Sequence, residues 1–129
     1  MDKKIIKTKK APQPGATWSQ AVKSGNFVFL SGNTGLDPIT RKVVEGGIKE
    51  QTTQALANMK NVLEEANGSL EDVVSVTLIL RNIDDLEEFN EVYLKFFKNN
   101  FPARITSEST RLPLPDILLE IGAIAVLPG

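Results

Sequence analysis

From Ile48 to about Asn67 the apolar residues Ala55, Leu56, Met59, Val62, Leu63 and Ala66 return every three or four positions, a spacing that puts them on one face of a helix. Asn67-Gly68 supplies its stop. The same period in Leu86, Phe89, Tyr93, Phe96 and Phe97 predicts a second helix over about Asp84 to Lys98. Asp84 and Glu87 suit its positive end, Lys95 and Lys98 its negative end, and Pro102 prevents its continuation. Elsewhere the pattern is extended. Phe27-Val28-Phe29-Leu30-Ser31-Gly32 reads as a buried strand, joined by a Gly25-Asn26 turn to a strand over Ser19 to Lys23. Weak alternation over Ile5 to Lys9 predicts a first strand, with Ala11-Pro12-Gln13-Pro14-Gly15 as a loop. Asp37-Pro38 begins another turn, and Gly46-Gly47 leads into the first helix. Ser69 to Asp72 forms a single turn before the β-branched run Val73 to Leu80. Strands over Ala103 to Ser109 and Ile117 to Val126 finish the chain around the proline-rich loop Arg111 to Asp116.

The order strand, strand, strand, helix, strand, helix, strand, strand predicts βαβ-like crossovers in the middle and hairpins at both ends, hence a mixed sheet. Two helices cover one face of such a sheet. Val73 to Leu80 and Ile117 to Val126 nevertheless carry apolar residues on both alternating sets, so the second face is expected to meet another subunit.

At 129 residues with 41% hydrophobic content, the chain is the size of one domain, 1–129, around one core. It contains neither Cys nor His. That excludes disulfides, thiolate nucleophiles, Ser-His-Asp triads and His- or Cys-rich metal sites, leaving carboxylates, Arg, Lys, hydroxyls and backbone groups for any chemistry. The formal charge of −1 conceals five lysines in the first ten residues, Lys3, Lys4, Lys7, Lys9 and Lys10, over a net acidic remainder. No basic stripe with interleaved aromatics follows them, so a solvated edge is expected rather than a nucleic-acid surface. The apolar runs are too short for a membrane span, and the N-terminus lacks the long hydrophobic region of a signal peptide, which makes the cytoplasm the expected location.

Charged groups set into apolar strands are costly unless paired or used, which singles out Arg104 and Glu120. Arg104 offers a planar fork of donors matched to a carboxylate; its alternative is an ion pair with Glu108 or Glu120. Glu120 alternates in phase with Leu118, Gly122, Ile124 and Val126, so it points to an otherwise apolar face, either as half of a buried pair or as a general base of raised pKa. Ser31-Gly32-Asn33 ends a strand, where ligand contacts and turn formation both occur. Asn90 faces a site or a polar patch, and Trp18, the only Trp, is core packing or a pocket wall. The acidic run Asp84, Asp85, Glu87, Glu88 and Glu91 is a solvated helix face and no metal site.

Ser19-Gln20-Ala21, Ser31-Gly32, Asn90-x-x-Tyr93-x-x-Phe96-Phe97, Phe101-Pro102-Ala103-Arg104, Arg111-Leu112-Pro113 and Glu120-Ile121-x-Ala123-Ile124-Ala125-Val126 together resemble the RidA (YjgF, L-PSP) family of imine and enamine deaminases. The resemblance covers nearly the whole chain. It implies a chorismate-mutase-like α+β fold, a mixed sheet with two helices on one face, assembled as a homotrimer with clefts between subunits. It further implies that the residue matching Arg104 binds the carboxylate of a small imine or enamine acid and the one matching Glu120 positions a water. Trp18, Ser31, Gly32, Asn90 and Thr106 are the accompanying substrate contacts it suggests. A 2-keto acid and ammonia would result, with no metal and no cofactor. Capture of a small acid without turnover, and an L-PSP-type endoribonuclease or translation inhibitor, are the alternatives. The chain departs from the family pattern at Trp18 (usually Tyr), Thr106 (frequently Cys) and Gly122 (commonly a second Glu), and its loop from Arg111 to Glu120 is one residue longer than in common members.

Overall fold

The computed structural model describes residues 2–129. Six strands form one sheet: β1 (Lys3–Ile6), β2 (Ala21–Ser24), β3 (Phe27–Asn33), β4 (Val73–Leu80), β5 (Ala103–Glu108) and β6 (Leu119–Val126), in the spatial order β1-β2-β3-β6-β4-β5. Two helices, α1 (Ile48–Glu65) and α2 (Leu86–Phe96), connect β3 to β4 and β4 to β5. The sheet is mixed, since β4 and β5 are parallel and every other pair is antiparallel.

The local causes are those of the residues. In the two-residue turn between β2 and β3, Gly25 takes φ 60°, a conformation that glycine enters without a Cβ clash. The N-terminus of α1 is tied by the Glu50 carboxylate, which accepts from the Gly47 N–H at 2.8 Å and is held below the ordinary carboxylate range by that bond. The helix ends in a Schellman motif, with Asn67 at φ 64° and the Gly68 N–H donating to the Leu63 carbonyl at 2.8 Å. The second helix begins later than its charge pattern suggests. Asn82 caps a 3₁₀ turn over Ile83–Asp85 by accepting from the Asp84 N–H, and α2 proper starts at Leu86.

Helix α1 lies across β3 and β6 and packs against α2. Beneath the helices, Val28, Leu56, Met59, Leu63, Leu78, Leu80, Phe89, Leu119 and Ile121 are all less than 2% exposed. Each such side chain contributes roughly 1.5–3 kcal/mol relative to an exposed position. The strand parity is regular: Leu119, Ile121, Ala123 and Ala125 of β6 are buried by the helices, while Glu120, Gly122, Ile124 and Val126 face the opposite side. On that uncovered side Phe27 and Phe29 stand 46% and 45% exposed, and Ile105 69%.

Three sequence expectations are corrected. The strand expected over Ile5 to Lys9 is Lys3–Ile6, because Thr8 and the residues after it are drawn into a loop around the buried Gln20 side chain, which exchanges hydrogen bonds with the Thr8 backbone at 2.7 and 3.0 Å. Phe27 and Phe29 are not core residues, since their parity faces them away from the helices. The last two strands are no hairpin. After β5, the chain returns so that β6 inserts between β3 and β4, antiparallel to both, leaving β5 at the edge.

Candidate active site

Register decides where the two candidate charges lie. Across the helix-covered face, Ala123 of β6 pairs with Val76 of β4, and Val76 with Arg104 of β5; the next row on that face is Ile121, Leu78 and Thr106. Across the open face, Glu120 pairs with Ile79, and Ile79 is matched by Ser107. Arg104 and Thr106 therefore stand on one side of the sheet and Glu120 on the other.

Glu120 borders a cavity of about 300 Å³ whose walls include Trp18, Ser31, Gly32, Leu114 and Ile117. Its lining is mostly apolar. Burial pushes the Glu120 carboxyl above the ordinary carboxylate range. Gly32 is required here by close approach: a Cβ would come within 2.6 Å of the Glu120 Cγ. The Ser31 hydroxyl donates to the Ser19 carbonyl, which leaves its oxygen free to accept from the cavity side. Trp18, 47% exposed, is a wall and not a core residue.

Arg104 borders a separate depression with Asn90, Tyr93, Leu94, Phe101 and Pro102. Its guanidinium carbon lies 4.9 Å from the Tyr93 ring centroid and 5.6 Å from that of Phe89. The only salt bridge among the described residues joins Lys49 to Glu91 at 2.7 Å, so Arg104 pairs with neither Glu108 nor Glu120. Glu108 is occupied otherwise, accepting from the Ile83 N–H at 2.9 Å. A guanidinium supported by aromatic faces keeps its planar fork of donors available to an incoming carboxylate. The adjacent Tyr93 hydroxyl is buried with no hydrogen-bond partner among the described residues; burial raises its pKa, and the Arg104 charge opposes that rise.

One chain thus gathers Trp18, Ser31, Gly32 and Glu120 in one place and Asn90 and Arg104 in another. Thr106 shares the face of Arg104 but lines neither cavity. Among the described residues no three His, Cys, Asp or Glu side chains converge as they would around a metal ion.

Buried amides were missed by reading the sequence for chemistry. Asn58 on α1 donates to the carbonyls of Thr34 and Leu36 at 3.1 and 2.9 Å, fixing the segment that follows β3. Gln51, on the same helix, donates to the Asp116 carbonyl at 3.1 Å and accepts from the Leu118 N–H at 2.8 Å. The signal was available: Gln51, Ala55, Asn58 and Val62 share the helical stripe that is otherwise apolar.

The family model of endoribonuclease L-PSP matches residues 8–127. A RutC family protein of Pyrococcus abyssi is 48% identical over 97% of this chain and 98% of its own length. The human 2-iminobutanoate/2-iminopropanoate deaminase is 38% identical over 96% of this chain and 90% of its own. Among solved structures, yeast Mmf1 superposes with a TM-score of 0.94 at 39% identity, covering 98% of this chain and all of that one. Escherichia coli TdcF with bound serine gives 0.91 at 34% identity, covering 97% and 99%. A match spanning nearly the whole sequence and a shared fold agree with the motifs around Arg104 and Glu120, and the chain belongs to the L-PSP/RidA family.

Proposed function

We propose that this protein hydrolyses reactive 2-enamine and 2-imine acids, such as 2-aminoacrylate and 2-iminopropanoate, to 2-keto acids and ammonia. We further propose that it does so as a homotrimer in which Arg104 of one subunit meets Glu120 of the next. The observation that carries the reading is a pair of opposite charges, one on each face of the sheet and neither in a salt bridge among the described residues: a guanidinium and a desolvated carboxylate, each bordering its own cavity. The apolar open face, with Phe27, Phe29 and Ile105 exposed, supports association through the sheet.

In this reading the enamine first tautomerises to the imine. Arg104 binds the carboxylate in a bidentate pair and aligns the imine carbon with a water held by Glu120. Glu120 accepts a proton from that water as its oxygen bonds to the imine carbon, and the C=N electron pair moves onto nitrogen, which takes the proton. The resulting amino alcohol gives its hydroxyl proton to Glu120, the C=O bond forms, and the C–N bond breaks. Ammonia leaves as its nitrogen takes that proton. A carboxylate whose pKa burial has raised is a better proton acceptor than an exposed one and can return the proton it takes. Ser31, Asn90 and Thr106 are proposed polar contacts to the substrate, Gly32 gives Glu120 its room, and Trp18 walls the site.

The test generates 2-aminoacrylate from serine with a dehydratase, traps imine with semicarbazide, and compares pyruvate release with wild-type protein, with Arg104→Ala and with no addition. Faster pyruvate formation with wild-type protein alone supports the deaminase. Equal rates in all three, with keto acids still raising thermal stability, would favour a second reading in which the cleft binds a small acid without turnover, as the serine-bound E. coli relative suggests.

A further inference from the structure

The segment from Ser109 to Leu118, between β5 and β6, has no helix or strand of its own, yet it supplies Pro113, Leu114 and Ile117 to the wall of the Glu120 cavity. One side chain holds it at three points. Arg81, which follows β4, donates from Nη1 to the Thr110 carbonyl at 2.9 Å, from Nη2 to the Leu114 carbonyl at 2.9 Å and from Nε to the Ile117 carbonyl at 2.8 Å. All three guanidinium nitrogens are committed to the beginning, middle and end of one loop. Among the described residues the arginine makes no salt bridge, and its own N–H donates to the Leu118 carbonyl at 2.9 Å, which continues the β4–β6 ladder and anchors its backbone.

A planar fork with donors fixed in direction can satisfy three carbonyls at once, which a lysine ammonium on a flexible stem cannot reproduce. The buried Gln51 holds the return of the same loop through Asp116 and Leu118. The loop's apolar side chains are therefore set in place by polar groups that never face the cavity.

We propose that Arg81 is a positioning residue for the Glu120 cavity: by clamping residues 110–117 it sets the Leu114 and Ile117 wall against Trp18 and so fixes the fit of the side group on the substrate's imine carbon. The clamp stands on the hydrogen bonds alone; its kinetic consequence rests on the deaminase reading. Glu120 sits on β6 and is held by the sheet, so loosening the loop changes binding of large side groups more than turnover.

The experiment compares wild-type protein, Arg81→Met and Arg81→Lys. Amide exchange over residues 109–118 should quicken about tenfold in Arg81→Met, with α1 unchanged, and Arg81→Lys should recover part of the protection. The KM for the imine formed from leucine by an amino-acid oxidase should rise about tenfold while that for 2-iminopropanoate rises less than about threefold, with kcat nearly constant. Unchanged exchange in the loop overturns the clamp. Faster exchange with an unchanged ratio of the two KM values overturns the positioning role and leaves Arg81 purely structural. Should the wild-type protein turn over neither imine, the deaminase reading fails separately, and calorimetric Kd values for the corresponding branched keto acid and pyruvate decide the same ratio.

Discussion

Replacing Arg104 with alanine removes a guanidinium that makes no salt bridge among the described residues and rests on two aromatic rings. Each charge-assisted hydrogen bond to a carboxylate is worth about 1.5–3 kcal/mol, so losing a bidentate pair should cost at least about 3 kcal/mol, or roughly 100-fold in kcat/KM. Lysine keeps the charge and loses the fork, and Arg104→Lys should fall roughly tenfold. The stability cost is limited to the stacking on Tyr93 and Phe89. About 1 kcal/mol there corresponds to a fall in Tm of about 4 °C for a chain of this size. The coupled pyruvate assay at substrate concentrations below KM, with a thermal melt on the same preparations, reads both quantities. A variant that retains more than about a third of wild-type kcat/KM would show that Arg104 is not the anchor. A large loss of activity accompanied by collapse of the fold would mean that the aromatic shelf needs the arginine and not the reverse.

The raised pKa of Glu120 sets the sign of two pH effects. Because the folded value lies above the unfolded one, the charged carboxylate costs stability that grows as pH rises through the interval between them; Glu120→Gln should therefore melt higher than wild type at neutral pH, and the advantage should vanish below the ordinary carboxylate value. The same group should give kcat/KM a rising limb above the usual carboxylate range, and a wild-type profile flat through acid pH would rule Glu120 out as the base. Gly32→Ala should push on the flexible Glu120 side chain, lowering turnover while Tm stays within a few degrees of wild type, a split that melting and kinetics on one sample would test. Phe29→Asp places a charge on the open face opposite Ile124 and should convert the proposed trimer to monomers in sedimentation, abolishing activity with the helix content intact; an unchanged sedimentation coefficient would count against association through this face.

Much of the architecture was readable because periodicity is local. The stripe of α1 and the β-branched run of β4 are set by neighbours three, four or two residues away, and both helix and strand fall within a residue or two of expectation. Parity also placed Glu120 correctly on the face of Gly122, Ile124 and Val126. Parity within a strand, however, does not say which face of the next strand is shared. That Arg104 and Glu120 lie on opposite sides follows from β4 being matched with both β5 and β6, a long-range pairing with no local signature. Phe27 and Phe29 misled for a related reason, since an aromatic row exposed on the open face of a sheet has the composition of a core. Arg81 stayed hidden because its partners are backbone carbonyls, and a carbonyl is present at every residue.

The position of β6 has a consequence for how the chain can be made. The strand at the middle of the sheet is the last of the six in chain order, so while residues 1–118 are being synthesised β3 and β4 have no partner between them and both present open edges. The α1 crossover can form early from local contacts, yet the sheet closes only when β6 threads into its slot, a step dominated by contacts distant in sequence and correspondingly slow. Ribosome-bound chains stalled just before Leu119 should consequently be protease-sensitive and prone to edge pairing, whereas those carrying β6 beyond the exit tunnel should become resistant in a single step.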